Sequence, residues 1–244
     1  MRHWTKSGFR RRAESVILLA ALLLTGPLPV TASGAVCEVY CHGESRAAEV
    51  SRKPRVALTF DDGPHGVFTP QVLDLLKKYN VRATFFVVGE NVGQYPDILE
   101  RTLREGHEIG NHTYAHEYLK GKPLDKQARE IDLCDYEIYD HSEYCAHLLR
   151  PPGGLYDDNV MKICAERGYT MIIWSVDTRD WTGASAREIE QSVFAGLEDG
   201  AIILMHDFNR PDSHTVEALA SIIPKIQDLG YEFVTVSQLI VKQT

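Results

Sequence analysis

Two histidines spaced four positions apart are the most informative residues of this 244-residue chain. His112 and His116 stand in the segment His112-Thr-Tyr-Ala-His116, downstream of Asp61-Asp62-Gly63. On a helix, this spacing places both imidazole rings on one face. Two imidazoles and one carboxylate form a three-ligand divalent-metal site with an open position, and the second carboxylate is available as a base. The pattern predicts a metal-dependent hydrolase, with Asp62 as the carboxylate ligand.

Three further segments carry residues that could complete such a site. They are Arg150-Pro-Pro-Gly-Gly154, Asp177-Thr-Arg-Asp180-Trp181 and Leu204-Met-His206-Asp207. The glycines of the first let backbone N–H groups approach a ligand, and its arginine can keep a neighbouring carboxylate ionised. The other two supply an aspartate and a histidine for an oriented acid–base pair. Each segment alone is compatible with an ordinary turn or strand end, but together they provide the groups that a hydrolase requires.

The elements that must position these residues alternate between strands and helices from Arg55 onward. Short β-branched or aromatic runs predict strands at 56–60, 83–88, 108–110, 147–150, 170–175, 201–205 and 232–236. Helical patterns lie between them, and Ser185-Ala-Arg-Glu188 forms a capping box. About seven β–α units in sequence predict an α/β domain with a parallel sheet that is closed or nearly closed into a barrel.

The polar residues fall at one end of this predicted barrel. Asp61, His112, Asp177 and His206 each come just after the carboxyl end of a predicted strand, and Arg150 is the last residue of one. Parallel barrels carry their active sites at that rim. The positions therefore predict that the separate segments meet in one site.

Residues 1–35 have the pattern of a secretory signal peptide. Basic residues precede an apolar run over 16–24, and Ser33-Gly34-Ala35 suits cleavage after Ala35. The run is about half of the roughly 20 apolar residues that a membrane span needs. We expect export with cleavage, no membrane span in the mature chain, a polar lead-in over 36–54 and a single catalytic domain over 55–244.

The charge of the chain limits its partners. The formal net charge is −8, and removal of residues 1–35 takes away five basic side chains and one acidic side chain, which leaves −12. A markedly acidic chain is a poor candidate for binding nucleic acid or anionic lipid. We expect a monomer that acts on a substrate that is neutral, or cationic once processed.

The five cysteines suit an exported protein. Cys37 with Cys41 and Cys134 with Cys145 are candidate disulfides. Cys164 lies on the apolar stripe of a predicted helix, where a small buried hydrophobic residue is expected. The spacing alone does not determine the connectivity.

The ordered motifs resemble those of the polysaccharide deacetylase family, which is also known as the NodB homology domain or carbohydrate esterase family 4. The matching segments are Thr59-Phe60-Asp61-Asp62-Gly63, His112-Thr-Tyr-Ala-His116, Arg150-Pro-Pro-Gly-Gly, Asp177-Thr-Arg-Asp-Trp181 and Leu204-Met-His206. The resemblance runs from about Arg55 to Leu239. It implies a distorted (β/α) barrel and metal-dependent removal of N-acetyl groups from N-acetylglucosamine polymers such as peptidoglycan or chitin-like chains. Together with the predicted signal peptide, this indicates a protein that acts outside the cytoplasm, in association with the cell wall.

The resemblance also implies roles for the residues around the metal. Carried over by position, Asp62, His112 and His116 hold the metal, usually zinc, although cobalt or another divalent ion can serve. Asp61 resembles the catalytic base of the family, and Arg150 its charge partner.

The remaining roles concern the substrate carbonyl and the leaving amine. A backbone N–H at Gly153 would complete the oxyanion hole, although many members of the family carry an aromatic residue at this position. Asp180 would tune His206, the general acid. Trp181 and Leu204 would form the walls of the acetyl pocket.

Other interpretations stay open at this point. In the same fold, an O-deacetylase acting on acetylxylan needs the same metal and base, but a better leaving group makes His206 less necessary. A non-heme iron oxygenase shares the ligand set, but the β–α alternation argues against it. A catalytically silent wall-binding module is disfavoured because no ligand or base is missing. Asp177 remains an alternative to Asp180 as the partner of His206.

Overall fold

The computed structural model describes residues 37–43, 53–207 and 213–240. All of them belong to one compact unit, Ala35–Thr244. The predicted signal peptide lies outside the described residues. Within the described ranges, no helix combines the length and the apolar composition that crossing a membrane requires.

The described residues form nine strands and eight α-helices that alternate for most of the chain. The strands are β1 Val39–Tyr40, β2 Arg55–Asp61, β3 Thr84–Val87, β4 Glu108–Asn111, β5 Leu148–Leu149, β6 Thr170–Ile172, β7 Val176–Asp177, β8 Ile202–His206 and β9 Glu232–Phe233. The helices are α1 Phe68–Tyr79, α2 Gly89–Gln94, α3 Pro96–Arg104, α4 Leu124–Ser142, α5 Asp158–Arg167, α6 Ala186–Ala195, α7 Thr215–Asp228 and α8 Val236–Ile240. The seven predicted strands are all present.

The strands form one curved, parallel sheet in the order β1-β6-β5-β4-β3-β2-β8-β7, and β9 also pairs with β2. After β1, His42 forms an antiparallel bridge with Ala201, and the Gly43 N–H donates to the Gly200 carbonyl. This bridge joins the strand at one end of the order to the start of β8. The prediction of a distorted (β/α) barrel is confirmed.

Two strands were missing from the prediction. Strand β1 lies within the segment expected to be a polar lead-in, and it pairs with β6. Strand β7 follows β6 along the chain but pairs with β8 on the other side of the sheet. Both strands are two residues long, and each is defined by its pairing with a strand distant in the chain.

The alternation of side chains along the strands separates two apolar layers. In β2, Val56, Leu58 and Phe60 pack beneath the helices, whereas Ala57 faces the interior of the barrel. Because successive side chains of a strand point to opposite faces, Thr59 and Asp61 share the face of Ala57. The same period places His206 on the interior face at the end of β8.

The helices cover the outer layer through one apolar stripe each. In α1 the stripe includes Val72 and Leu76, and in α7 it includes Leu219 and Ile223, all of them fully buried. Burial of each such side chain contributes about 1.5–3 kcal/mol of transfer free energy. The predicted capping box at Ser185 and Glu188 is present at the start of α6.

The cysteines differ from the predicted pairing. All five lie in described segments, and all are free thiols. Cys134 is buried in α4 with its thiol donating to the Val87 carbonyl, whereas Cys145 is exposed. Cys164 is fully buried in α5, as expected for a small hydrophobic residue.

Candidate active site

Asp62, His112 and His116 converge at the carboxyl end of the sheet. Their ligand atoms lie within 4.8 Å of one another. Oδ1 of Asp62 is 3.4 Å from Nε2 of His112 and 3.1 Å from Nε2 of His116. This oxygen is buried and, within the described residues, has no hydrogen-bond partner. A buried carboxylate oxygen facing two imidazole nitrogens fits a divalent cation, because all three atoms can act as ligands.

The two histidines do not lie on a helix, so the prediction of a shared helical face is wrong. They lie in the loop after β4, where Thr113 and His116 have positive φ angles of 71° and 54°. The side-chain oxygen of Asn111 accepts a hydrogen bond from the Thr113 N–H, and such a turn competes with helix formation. The rings nevertheless approach to 5.1 Å between centroids.

A carbonyl group orients the buried ring of His112. Its Nδ1 lies 2.6 Å from the carbonyl oxygen of Arg150. A carbonyl can only accept, so Nδ1 carries the proton and Nε2 keeps its lone pair. Protein groups orient metal-ligating histidines in this way, which is a second observation that fits a metal at Nε2.

The charge state of Asp62 also suits a ligand. Burial raises the pKa of Asp62, but contact with His112 and His116 outweighs it and holds the pKa well below its usual range. Asp62 is therefore a carboxylate at neutral pH, as a metal ligand must be.

Asp61 and Arg150 form a buried ion pair beside these ligands. Nη1 of Arg150 donates to Oδ1 of Asp61 at 2.7 Å and to the Thr59 hydroxyl at 2.8 Å. Its other nitrogens donate to the carbonyls of Ile172 and Ile173. Arg150 is fully buried, and such a cation is tolerated only when its donors are satisfied.

His206 pairs with Asp180, and not with Asp177. Nδ1 of His206 lies 2.7 Å from Oδ1 of Asp180, and the His206 N–H donates to Oδ2 at 2.9 Å. The Thr215 hydroxyl also donates to Oδ2, at 2.7 Å. Asp177 is exposed and accepts from the N–H of Arg179.

The environment of His206 favours the imidazolium. Burial lowers the pKa of His206, but the hydrogen bond to Asp180 and the negative charges of Asp180, Asp62 and Asp61 outweigh it, so that the pKa rises to about 9. His206 therefore carries a proton that it can donate at neutral pH.

A cavity of about 350 Å³ contains these groups. It is lined by Asp61, Asp62, His112, His116, Tyr118, Gly153, Trp174, Asp177, Trp181, Leu204 and His206. Eight of the ten predicted site residues are in that lining, and the other two, Arg150 and Asp180, are buried behind it in contact with Asp61 and His206. Gly153 lies in a short 3-10 turn with a φ of 62°.

Tyr118 and Trp174 are in the lining but were not predicted. Trp174 follows β6, and Tyr118 comes two residues after His116. An aromatic residue so close to a metal-ligand motif is a signal that could have identified Tyr118.

Comparison with known proteins agrees with this geometry. The family model described as "Polysaccharide deacetylase" matches residues 48–172. The chain is 42% identical over 187 residues to a peptidoglycan-N-acetylglucosamine deacetylase of Bacillus cereus, covering 76% of this chain and 87% of that protein. It is also 41% identical over 185 residues to PgdA of Listeria monocytogenes, another peptidoglycan-N-acetylglucosamine deacetylase. That match covers 76% of this chain but only 38% of PgdA.

Solved structures include a similar fold. The Bc1960 peptidoglycan N-acetylglucosamine deacetylase superposes with a TM-score of 0.77 at 37% identity, over 83% of this chain and 92% of that one. The site is that of a metal-binding hydrolase on a (β/α) barrel. The chain belongs to the polysaccharide deacetylase family, and the predicted enzyme class is confirmed.

Proposed function

We propose that this protein is a zinc-dependent deacetylase of the N-acetylglucosamine residues in peptidoglycan. One observation carries the proposal. A single cavity brings together three potential metal ligands, a carboxylate paired with an arginine, and a histidine paired with an aspartate. Hydrolysis of an amide requires these groups together, because the water must lose a proton and the leaving amine must gain one.

Asp62, His112 and His116 would hold the metal. Two nitrogens and one oxygen with an open position are typical of catalytic zinc, although other divalent ions accept the same ligands. When bound, the metal would act as a Lewis acid toward the acetyl carbonyl and make a neighbouring water more acidic.

Asp61 is the proposed base. Its Oδ1 is held by Arg150, while Oδ2 lies 3.7 Å from Nε2 of His112, on the side of the metal ligands. A carboxylate fixed in this position can remove a proton from the attacking water with no rotation of its own side chain. Arg150 provides the positive charge that compensates for the burial of Asp61.

His206 is the proposed acid, oriented by Asp180. The proton on Nε2 would pass to the amine nitrogen as the C–N bond breaks, because an unprotonated amine is a poor leaving group. The Gly153 N–H would donate to the oxyanion, and loss of one such donor typically costs about 10²–10³ in rate.

The acetyl group would be enclosed by Trp181 and Leu204. Leu204 is buried and Trp181 is half exposed, so that one wall is fixed and the other reaches toward solvent. Peptidoglycan is the substrate proposed because the most similar proteins named above are peptidoglycan deacetylases. The acidic character of the chain suits a polymer whose products are amines.

We also propose that the protein acts outside the cytoplasm as a monomer. Cleavage of the predicted signal peptide after Ala35 would release it. This location is consistent with a substrate in the cell wall, and it would expose the protein to an oxidising environment.

The test is release of acetate by the purified protein from peptidoglycan and from N-acetylglucosamine oligomers. Acetate and a new free amine, both lost after chelation and restored by zinc, would support the proposal. An absence of acetate with zinc bound at one equivalent would refute it. Acetylxylan serves as a third substrate, and faster turnover there would favour an O-deacetylase.

A further inference from the structure

Tyr118 presents an aromatic ring at the mouth of the active-site cavity. It lies in the same loop as His116, lines the cavity, and is 59% exposed. Among the described residues, its hydroxyl makes no hydrogen bond. A tyrosine combines an apolar ring with a polar hydroxyl, so at this place it can contact both the apolar and the polar parts of a ligand.

The ring of Tyr118 occupies space that Gly153 leaves open. A Cβ atom built on Gly153 would lie 2.9 Å from Cε1 of Tyr118, which is closer than such atoms approach in folded proteins. The φ of 62° at Gly153 also disfavours any side chain there. The Tyr118 ring therefore fills space beside the cavity that a side chain at position 153 would occupy.

We propose that Tyr118 is a specificity-determining residue that packs against a pyranose ring of the bound polymer. This inference rests on the proposed function. The C–H face of a sugar is apolar and its edge carries hydroxyls, so a tyrosine can contact both parts. Trp181, 52% exposed, lines the same cavity from a separate loop and offers a second aromatic surface.

The first experiment compares Tyr118→Ala with the unaltered protein on an N-acetylglucosamine tetramer. We expect KM to rise about tenfold and kcat to stay within about twofold, because stacking is equal in the bound substrate and the transition state. Tyr118→Phe keeps the ring and is expected to retain a near-normal KM. Tyr136→Ala, which removes a ring that is 60% exposed on α4 and does not line the cavity, is the matched control.

A double-mutant cycle tests the link to Gly153. Gly153→Ala should raise KM in the unaltered protein, since the new Cβ displaces the Tyr118 ring. In the Tyr118→Ala background that contact is gone, so the second substitution should raise KM by a smaller factor than in the unaltered protein. The backbone strain at position 153 is present in both backgrounds and cancels from the coupling. Additive effects on KM would overturn the proposal.

A binding measurement separates this inference from the proposed function. Calorimetric titration of the tetramer into Asp61→Asn, with and without Tyr118→Ala, reports affinity with no turnover. Weaker binding on loss of the ring supports the role of Tyr118. Equal binding and an unchanged KM refute it, even if the unaltered protein releases acetate. If the unaltered protein releases no acetate but binds the tetramer through Tyr118, the proposed function fails and this inference stands.

Discussion

At the scale of single residues, the site depends on how each charge is compensated. Asp61 is buried against Arg150, and the buried His206 is held by Asp180. The proposed base, Asp61, is thereby paired with a cation, and the proposed acid, His206, is paired with an anion in the same cavity. This separation is the arrangement that acid–base catalysis requires near neutral pH.

The proposed role of Asp61 leads to a first prediction. In Asp61→Asn the amide still accepts a hydrogen bond from Arg150 but cannot take a proton. We expect kcat to fall by about 10²–10⁴ while zinc stays bound, as measured by acetate release and by metal content. Asp140→Asn, an exposed change on α4, should keep full activity. Near-normal turnover by Asp61→Asn would show that another group is the base.

The raised pKa of His206 leads to a second prediction. A general acid must be protonated, so kcat should decline as the pH rises through about 9. Asp180→Asn removes the hydrogen-bonded negative charge, so burial lowers the pKa and the alkaline decline moves to lower pH. Asp177→Asn should leave the position of the decline unchanged. An equal shift in both variants would contradict the assignment of Asp180.

The same pKa affects stability. The pKa of His206 is raised above the 6.5 of an exposed histidine, so the folded state binds its proton more tightly than the unfolded state. The resulting stabilisation is fully present below pH 6.5 and is lost as the pH rises through about 9. Urea unfolding of the unaltered protein and of His206→Ala across this range measures the difference.

At the scale of elements, close packing between strands and loops holds the site in place. Gly110 in β4 lies against Phe86 in β3, and the Phe86 ring stacks on the guanidinium of Arg150, 4.1 Å from its centroid. The interior layer thus connects a glycine in a strand to the ion pair of Asp61. We therefore expect a displacement of this layer to move Asp61, the proposed base.

The packing at Gly110 can be tested. A Cβ atom on Gly110 would lie 2.5 Å from two Phe86 ring atoms and 3.2 Å from the Leu148 carbonyl. We expect Gly110→Ala to cost about 1–3 kcal/mol in the free energy of unfolding, measured by urea denaturation, and to lower kcat. Gly93→Ala on α2 meets only the end of Glu137, at 3.2 Å, and should be neutral or stabilising. Equal effects of the two changes would contradict this packing.

At the scale of the whole molecule, metal binding should be coupled to folding. Asp62 directly follows β2 and the histidines lie in the loop after β4, so the complete ligand set exists only in the folded chain. A ligand that binds the folded state alone stabilises it by about 2.7 kcal/mol at a hundred times its dissociation constant.

Metal removal should therefore lower the melting temperature. We expect a fall in Tm on chelation and recovery with zinc, measured by calorimetry at constant protein concentration. His112→Ala removes one ligand, so chelation should then have little effect on Tm. A Tm that does not respond to chelation in the unaltered protein would argue against a metal at these three residues.

Much of the fold could be predicted from the sequence, because long apolar runs and capped helices are local signals. The seven strands and the capping box at Ser185 are examples. Strands β1 and β7 were not predicted, because each is defined by pairing with a strand distant in the chain, which no local pattern specifies. The helical turn between His112 and His116 was predicted wrongly because the side chain of Asn111 stabilises a different backbone.

By itself, the sequence determined the chemical groups available to this protein and the end of the barrel at which they lie, because residue type and strand period are local properties. Only the tertiary structure decided which groups touch. Three contacts join segments that are far apart in the chain: His206 with Asp180, Arg150 with Phe86, and Tyr118 with Gly153. Such contacts depend on the packing of the whole interior, which no local pattern specifies.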